Sequence, residues 1–82
     1  MDPRTIELRL RQLLAEITGL EPASIRSNVP LLRGGLELDS LSAASFVTAV
    51  QEAFGIDLLE EDLTLSSLES LAALARFVSD RV

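Results

Sequence analysis

The segment GGLELDSLSAASF, residues 34–46, contains Ser40, whose hydroxyl could act as a nucleophile or cap a helix. A serine hydroxyl becomes a nucleophile when a neighbouring base takes its proton, and histidine and lysine are the usual bases. The chain contains neither residue. Any covalent chemistry at Ser40 must therefore be carried out by another protein. The alternative interpretation is structural, because serine is also a common N-cap.

Composition excludes several classes of function. The common zinc ligands cysteine and histidine are both absent, so no metal site is predicted. The net charge of −6 argues against a nucleic-acid partner. No apolar run approaches the roughly 18 residues of a membrane helix, and the start of the chain has no apolar signal core. Without cysteines to form disulfides, we expect a cytoplasmic protein with no membrane partner.

The negative charge is concentrated in the middle of the chain. Residues 33–62 contain one arginine and seven acidic residues, and 1 − 7 gives −6, the net charge of the whole chain. This region is interpreted either as a solvated surface that aids solubility or as a docking surface for partners with basic patches.

The first helix is predicted at about residues 3–18. Asp2 is a suitable N-cap, Pro3 is a suitable first helical residue, and Gly19 can end the helix in a left-handed conformation. The apolar stripe consists of Ile6, Leu10, Leu13, Leu14 and Ile17, and Leu8 falls outside it.

A long loop follows, from residue 20 to residue 39. Proline and glycine residues interrupt any helical period, although residues 22–25 are compatible with a single helical turn. Gly34 and Gly35 are expected to permit a tight turn. Apolar side chains should pin the loop across the helices, and these are Ile25, Val29, Leu31, Leu32, Leu36 and Leu38.

The second helix is predicted to begin at Asp39 or Ser40 and to end at Phe54, before Gly55. Its buried stripe comprises Ala43, Phe46, Val47, Val50 and Phe54. The opposite face then consists of Leu41, Ala44 and Thr48. Two apolar side chains close to Ser40 are therefore expected to face solvent.

The last helix is predicted to start with a capping box, in which Ser66 caps the helix and Glu69 reaches back to it. Its apolar stripe consists of Leu68, Leu71, Ala72, Ala75 and Val78, widened by Leu74 and Phe77. The acidic segment 60–62 is compatible with a short helical turn. The predicted fold class is all-α, a small helical bundle of three main helices plus a short one, with a long loop between helices 1 and 2.

Three features favour a functional role for Ser40 over a capping role. Asp39 is already an effective N-cap, so a second capping residue is redundant. Ser40 follows a long, pinned loop rather than a short turn. The acidic region and the outward pair Leu41 and Ala44 both lie beside it in the sequence.

These residues resemble the phosphopantetheine attachment motif of acyl carrier proteins. The resemblance lies in GLELDSL followed by a helix that ends in FGI, and the order of the other elements extends it over essentially the whole chain. It implies an acyl-carrier-type helical bundle in which residues 1–82 form a single acyl carrier domain. The resemblance further implies a discrete, monomeric carrier that is not an enzyme, because partner enzymes perform the reactions.

The resemblance also implies the roles of individual residues. Ser40 would receive 4′-phosphopantetheine from coenzyme A as a phosphodiester, in a reaction carried out by a magnesium-dependent phosphopantetheinyl transferase. Asp39 would help to position that metal during transfer. The thiol of the arm would carry acyl groups as thioesters, which acyl- or ketide-loading and elongating synthase enzymes would supply and use.

Partner binding is expected on a surface that comprises Glu37, Leu41, Ala44, Thr48 and Glu52. The resemblance implies that Leu41 contacts the transferase and later partners. Carriers of fatty acid synthesis typically display several acids along helix 2, whereas here Glu52 is the main acid after Asp39. This departure favours polyketide or mixed peptide–polyketide biosynthesis.

Alternative functions stay open. The Gly34-Gly35 pair is similar to the Gly-Gly that precedes the motif of peptidyl or aminoacyl carriers in nonribosomal peptide synthesis, although four residues separate it from Ser40. An unmodified helical adaptor could bind one partner through Leu41, Ala44 and Thr48. A carboxylate-based enzyme is a further alternative.

Overall fold

The computed structural model describes residues 2–31, 34–57 and 68–82. These residues form helix α1 (Pro3–Thr18), helix α2 (Ser40–Phe54), helix α3 (Leu71–Ser79) and a 3-10 turn at Pro22–Ser24. The all-α prediction is confirmed, since none of the described residues is in a strand. The short helical turn predicted at 60–62 lies outside the described residues. In the described part of the chain, no helix is both long and apolar enough to cross a membrane.

Helix α1 has the predicted boundaries. The Asp2 side chain accepts a hydrogen bond from the Arg4 N–H, and Gly19 ends the helix with φ 76° and donates its N–H to the Ala15 carbonyl. A positive φ costs glycine little because it has no Cβ. The buried residues of α1 are Ile6, Leu10, Leu13 and Leu14. Leu8, which falls outside the predicted apolar stripe, is 52% exposed.

The core lies between α1, α2 and α3, and the long loop contributes to it. Ile25 and Leu31 are almost completely buried, and Val29, Leu36 and Leu38 pack against the core. Burial of one Leu or Ile side chain contributes about 1.5–3 kcal/mol, which helps to offset the entropy lost when a loop is ordered. The prediction of a pinned loop is confirmed for these residues, while Leu32 lies outside the described part.

The second helix also agrees with the prediction. It begins at Ser40, and Gly55 ends it with φ 63°. Phe46 and Val50 are buried, and Val47 and Phe54 pack against the core from partly buried positions. The periodicity of the sequence therefore assigned the inner face of α2 correctly at these four positions, whereas Ala43, which was also predicted to be buried, is only partly buried and is not part of the core.

The predicted start of the last helix is wrong. Helix α3 begins at Leu71, and Ser70 caps it by accepting a hydrogen bond from the Ala73 N–H over 3.0 Å. Leu68 precedes the helix, and Ser66 itself lies outside the described residues. The loop favours this start, because the Leu71 and Ala72 N–H groups donate to the carbonyls of Val29 and Ser27. Two N–H groups that every helix start leaves free are thereby satisfied.

Candidate functional site

Ser40 is the first residue of α2 and is exposed to solvent. Asp39 precedes it with an extended backbone (φ −78°, ψ 176°) and acts as the N-cap. Among the described residues, no hydrogen bond engages the Ser40 hydroxyl. Leu41, the next residue, is 79% exposed. The predictions of a reachable hydroxyl and an outward Leu41 are both confirmed.

The Asp39 carboxylate is held against the start of α2. Its Oδ1 accepts a hydrogen bond from the Ser42 backbone N–H over 2.7 Å. Hydrogen bonds from the Ser42 N–H, the Ser42 hydroxyl and the Leu41 N–H lower the pKa of Asp39 below its usual value, because they stabilise the charged form. Asp39 is therefore anionic at neutral pH and lies directly beside Ser40.

A tight turn delivers the chain to Asp39. The Leu36 N–H donates to the Pro30 carbonyl over 2.9 Å, and the Leu38 N–H donates to the Leu31 carbonyl over 3.3 Å. Gly35 lies so close to this turn that a Cβ there would overlap the Pro30 carbonyl oxygen. The expectation that the glycine pair permits a tight turn is confirmed.

The same turn forces an unusual conformation at Glu37. Its φ is 52°, which is a left-handed value, and it is the one non-glycine residue in the described part with a positive φ. Leu36 and Leu38 on either side are partly buried, whereas Glu37 is exposed. The two leucines thus fix the backbone while the Glu37 side chain is left in solvent.

A polar cluster on α1 anchors the beginning of the loop, and the sequence analysis did not find it. Arg11 donates from Nε to the Ile25 carbonyl over 2.7 Å and from Nη2 to the Glu7 carboxylate over 2.9 Å. Ser27 donates its hydroxyl to the same carboxylate over 2.6 Å. The i, i+4 spacing of Glu7 and Arg11 is a helix-pair signal, but their link to Ile25 and Ser27 depends on the fold.

The predicted partner surface is solvent-exposed. Its members on α2 are Leu41, Ala44, Thr48 and Glu52, and Glu37 lies on the loop. Leu41 and Ala44 expose apolar groups to water next to Ser40. Glu52 lies twelve residues after Ser40, at a distance of about 18 Å along the helix. The exposure of all five residues is confirmed, and their contact with partners stays a prediction.

This arrangement can present a nucleophile without activating it. The Ser40 hydroxyl has a helix N-terminus behind it, which favours an anion bonded to that oxygen. Within the described ranges, no group of three or more acidic residues is arranged to hold a metal ion. The chain has no histidine or lysine, so a visiting enzyme would have to supply the base.

Comparison with known families decides what kind of site this is. The family described as Phosphopantetheine attachment site matches residues 8–78, which include most of α1, the long loop, all of α2 and most of α3. This chain belongs to that family. The resemblance to carrier proteins is therefore confirmed, and the cofactor of this carrier domain is covalently attached 4′-phosphopantetheine.

Two curated relatives are named as non-reducing polyketide synthases. The non-reducing polyketide synthase stbA of Stachybotrys bisbyi is 34% identical over 65 residues, which are 79% of this carrier domain and 3% of the synthase. The non-reducing polyketide synthase Preu6 of Preussia isomera is 38% identical over 63 residues, which are 73% of this carrier domain and 3% of the synthase. The chain thus spans a small fraction of the length of these relatives.

Proposed function

We propose that residues 1–82 form one acyl carrier domain and that 4′-phosphopantetheine is attached to Ser40. The observation that carries this proposal is the exposed Ser40 hydroxyl, which no other described residue engages and which lies beside the 79% exposed Leu41. A visiting transferase needs a hydroxyl that it can reach and an apolar contact next to it. Both features occur at the start of α2.

The transfer reaction uses the Ser40 oxygen as the nucleophile. This oxygen forms a bond to the coenzyme A phosphorus that carries the pantetheine arm, adenosine 3′,5′-bisphosphate leaves, and the hydroxyl proton passes to a base of the transferase. Asp39, which is ionised because the α2 N–H groups lower its pKa, helps to position the magnesium ion of the transferase. Once attached, the arm supplies a thiol that carries acyl groups as thioesters.

The start of α2 suits the phosphodiester that this reaction creates. The negative charge of the phosphodiester lies at the positive end of the helix dipole, and this interaction contributes about 0.3–1 kcal/mol at an exposed site. The neighbouring Asp39 carboxylate opposes that charge and already uses the Ser42 N–H. The phosphate is therefore directed away from the helix end, toward solvent and visiting enzymes.

We further propose that this carrier acts as a monomer in the cytoplasm and serves polyketide biosynthesis. The two relatives reported above are named as polyketide synthases, which supports the pathway. Its partners would be the transferase and the acyl- or ketide-loading and elongating enzymes, with Leu41, Ala44 and Thr48 as the contact face and Glu37 and Glu52 as flanking charges.

The test is the intact mass of the purified chain after incubation with coenzyme A, magnesium and a broad-specificity phosphopantetheinyl transferase. The wild type should gain one phosphopantetheinyl group, and Ser40→Ala should gain none. Ser45→Ala is the matched control, because Ser45 is also an exposed serine of α2. It should be modified like the wild type.

Two outcomes would contradict the proposal. An unchanged wild-type mass with several competent transferases would favour an unmodified adaptor that uses the Leu41 face. Modification of Ser40→Ala would place the arm on another residue. If the loaded arm accepts aminoacyl groups rather than malonyl-type groups from the corresponding loading enzymes, the carrier belongs to nonribosomal peptide synthesis instead.

A further inference from the structure

The first turn of α2, which carries Ser40, places no side chain in the core. Residues 40–43 are exposed or only partly buried, and the first buried residue of α2 is Phe46. Phe46 lies about 9 Å further along the helix, because each residue of an α-helix advances the chain by about 1.5 Å. Within the described ranges, the backbone of α2 also makes no close approach to that of α3. The chain that precedes Ser40 therefore has to hold this turn in place.

Hydrogen bonds attach that preceding chain to a buried stretch of the loop. The Leu36 N–H donates to the Pro30 carbonyl over 2.9 Å. The Leu38 N–H donates to the Leu31 carbonyl over 3.3 Å, and Leu31 is completely buried. Leu38 lies only two residues before Ser40. The acceptor carbonyls at positions 30 and 31 thus fix where the chain enters α2.

Arg11 on α1 fixes the other end of this stretch, residues 25–31. Its Nε donates to the Ile25 carbonyl over 2.7 Å, and its Nη2 donates to the Glu7 carboxylate over 2.9 Å and to Ser27 Oγ over 3.3 Å. The Arg11 and Glu7 side chains are only 20% and 21% exposed, so solvent and salt weaken this cluster less than they weaken a surface ion pair. One guanidinium therefore holds two residues of the stretch.

We propose that Arg11 is a positioning residue for the transfer of phosphopantetheine to Ser40, and that it acts through residues 25–31. This inference rests on the proposed attachment of the arm at Ser40. By holding the stretch, Arg11 keeps the acceptors of the Leu36 and Leu38 N–H groups in place. It thereby increases the fraction of molecules that present Ser40 in the geometry that the transferase binds. A smaller fraction raises the apparent dissociation constant in proportion and leaves the chemical step unchanged.

The experiment measures KM for the carrier and kcat for phosphopantetheinyl transfer to Arg11→Lys, well below the melting temperature of every variant. Lysine keeps the positive charge and loses the planar fork that joins the Ile25 carbonyl to Glu7. KM should rise roughly two- to fivefold with kcat unchanged. The ratio of mutant to wild-type KM should be the same at low and high salt, because the charge is retained. Arg26→Lys is the matched control, since Arg26 is an exposed arginine of the same stretch, and its KM should equal that of the wild type.

Val78→Ala separates positioning from a general loss of stability. Val78 is completely buried near the end of α3 and takes no part in the hydrogen bonds of residues 25–31. Truncation of a buried side chain lowers the melting temperature, but KM should stay at the wild-type value. An equal rise in KM for Val78→Ala and Arg11→Lys would overturn the inference, because the effect would then follow stability alone.

Amide hydrogen exchange supplies a second readout. Arg11→Lys should accelerate exchange of the Leu36 and Leu38 N–H groups, which lie beyond the stretch that Arg11 contacts, and should leave exchange in the last turn of α2 unchanged. Acceleration confined to residues 25–31 would overturn the inference, because Arg11 would then anchor only the loop. Wild-type KM in Arg11→Lys would also overturn it, while the attachment at Ser40 stands. Failure of the wild type to accept the arm would instead overturn the proposed function.

Discussion

The Asp39 carboxylate and the Ser42 backbone N–H close the first turn of α2, with 2.7 Å between Oδ1 and the amide nitrogen. Ser40 lies between these two residues and takes no part in the bond. Asp39 thus satisfies an N–H group that the helix start would otherwise leave free, and the Ser40 hydroxyl is left for another purpose. Because neighbouring residues have separate roles, substitutions can test each role by itself.

Substitution at the cap should separate folding from modification. Asp39→Ala removes the capping oxygen and should lower the melting temperature by about 4–8 °C, whereas Ser40→Ala should change it by less than about 3 °C. Asp39→Asn keeps a capping oxygen, so it should melt close to the wild type yet be modified more slowly because the charge is gone. Thermal unfolding and the intact-mass time course measure both effects. An equal loss of stability in Ser40→Ala and Asp39→Ala would show that Ser40 also caps the helix.

The lowered pKa of Asp39 predicts how stability depends on pH. The unfolded chain binds a proton at this carboxyl at a higher pH than the folded chain does. The stability that ionised Asp39 provides is therefore complete above the unfolded pKa, near pH 4, and is lost as the pH falls through the folded pKa. The difference in melting temperature between the wild type and Asp39→Asn should be constant between about pH 5 and pH 8. At lower pH, the melting temperature of the wild type should fall relative to that of Asp39→Asn. No change in this difference on acidification would contradict the capping charge.

Substitution of Gly34 and substitution of Gly35 should each destabilise the protein, but for different reasons. Gly34 has φ 83° and open space around it, whereas Gly35 has no room for a Cβ beside the Pro30 carbonyl. Alanine at Gly34 should cost about 1–2 kcal/mol, and asparagine, which tolerates the left-handed region, should cost less. Alanine and asparagine at Gly35 should both cost about 1–3 kcal/mol or more, because the backbone must move. Urea unfolding measures the loss in free energy of unfolding for each variant. A small loss for Gly35→Asn would argue against the close approach of Gly35 to the Pro30 carbonyl.

The Arg11 cluster should stabilise the beginning of the loop. Arg11→Lys loses the fork that joins the Ile25 carbonyl to the Glu7 carboxylate, so we expect a loss of about 1–2 kcal/mol. Amide exchange of residues 25–31 should accelerate more than exchange in α2. Arg26→Lys is the matched control, since Arg26 is exposed, and its effect should stay within about 0.5 kcal/mol. Equal effects of the two substitutions would mean that the cluster contributes nothing beyond surface charge.

Leu41 should contribute to the binding of partner enzymes and not to folding stability. It is 79% exposed, so Leu41→Ala should unfold within about 0.5 kcal/mol of the wild type. If Leu41 inserts into a pocket of the transferase, its truncation should cost about 1 kcal/mol or more of binding and raise KM roughly fivefold. Leu8→Ala is the control, because Leu8 is another exposed leucine, on α1. An equal KM for both variants would exclude Leu41 as a contact.

The sequence by itself determined the features that depend on short-range interactions. Asp2 and Gly19 mark the ends of α1, and Asp39 and Gly55 mark those of α2, because caps and glycine stops act within one turn of the helix. The outward position of Leu41 followed from helical periodicity, and the proposed attachment residue followed from its motif. The absence of an internal base predicted that another protein carries out the chemistry. These inferences needed no knowledge of how the helices pack.

Tertiary structure decided the features that join distant parts of the chain. Helix α3 starts at Leu71 rather than near Ser66, because loop carbonyls some forty residues earlier accept its first N–H groups. Arg11 anchors the loop because folding brings the Ile25 carbonyl to it, and Glu37 is left-handed because its neighbours Leu36 and Leu38 are drawn into the core. A local pattern cannot encode such contacts, since their geometry exists only after the helices and the loop have packed together.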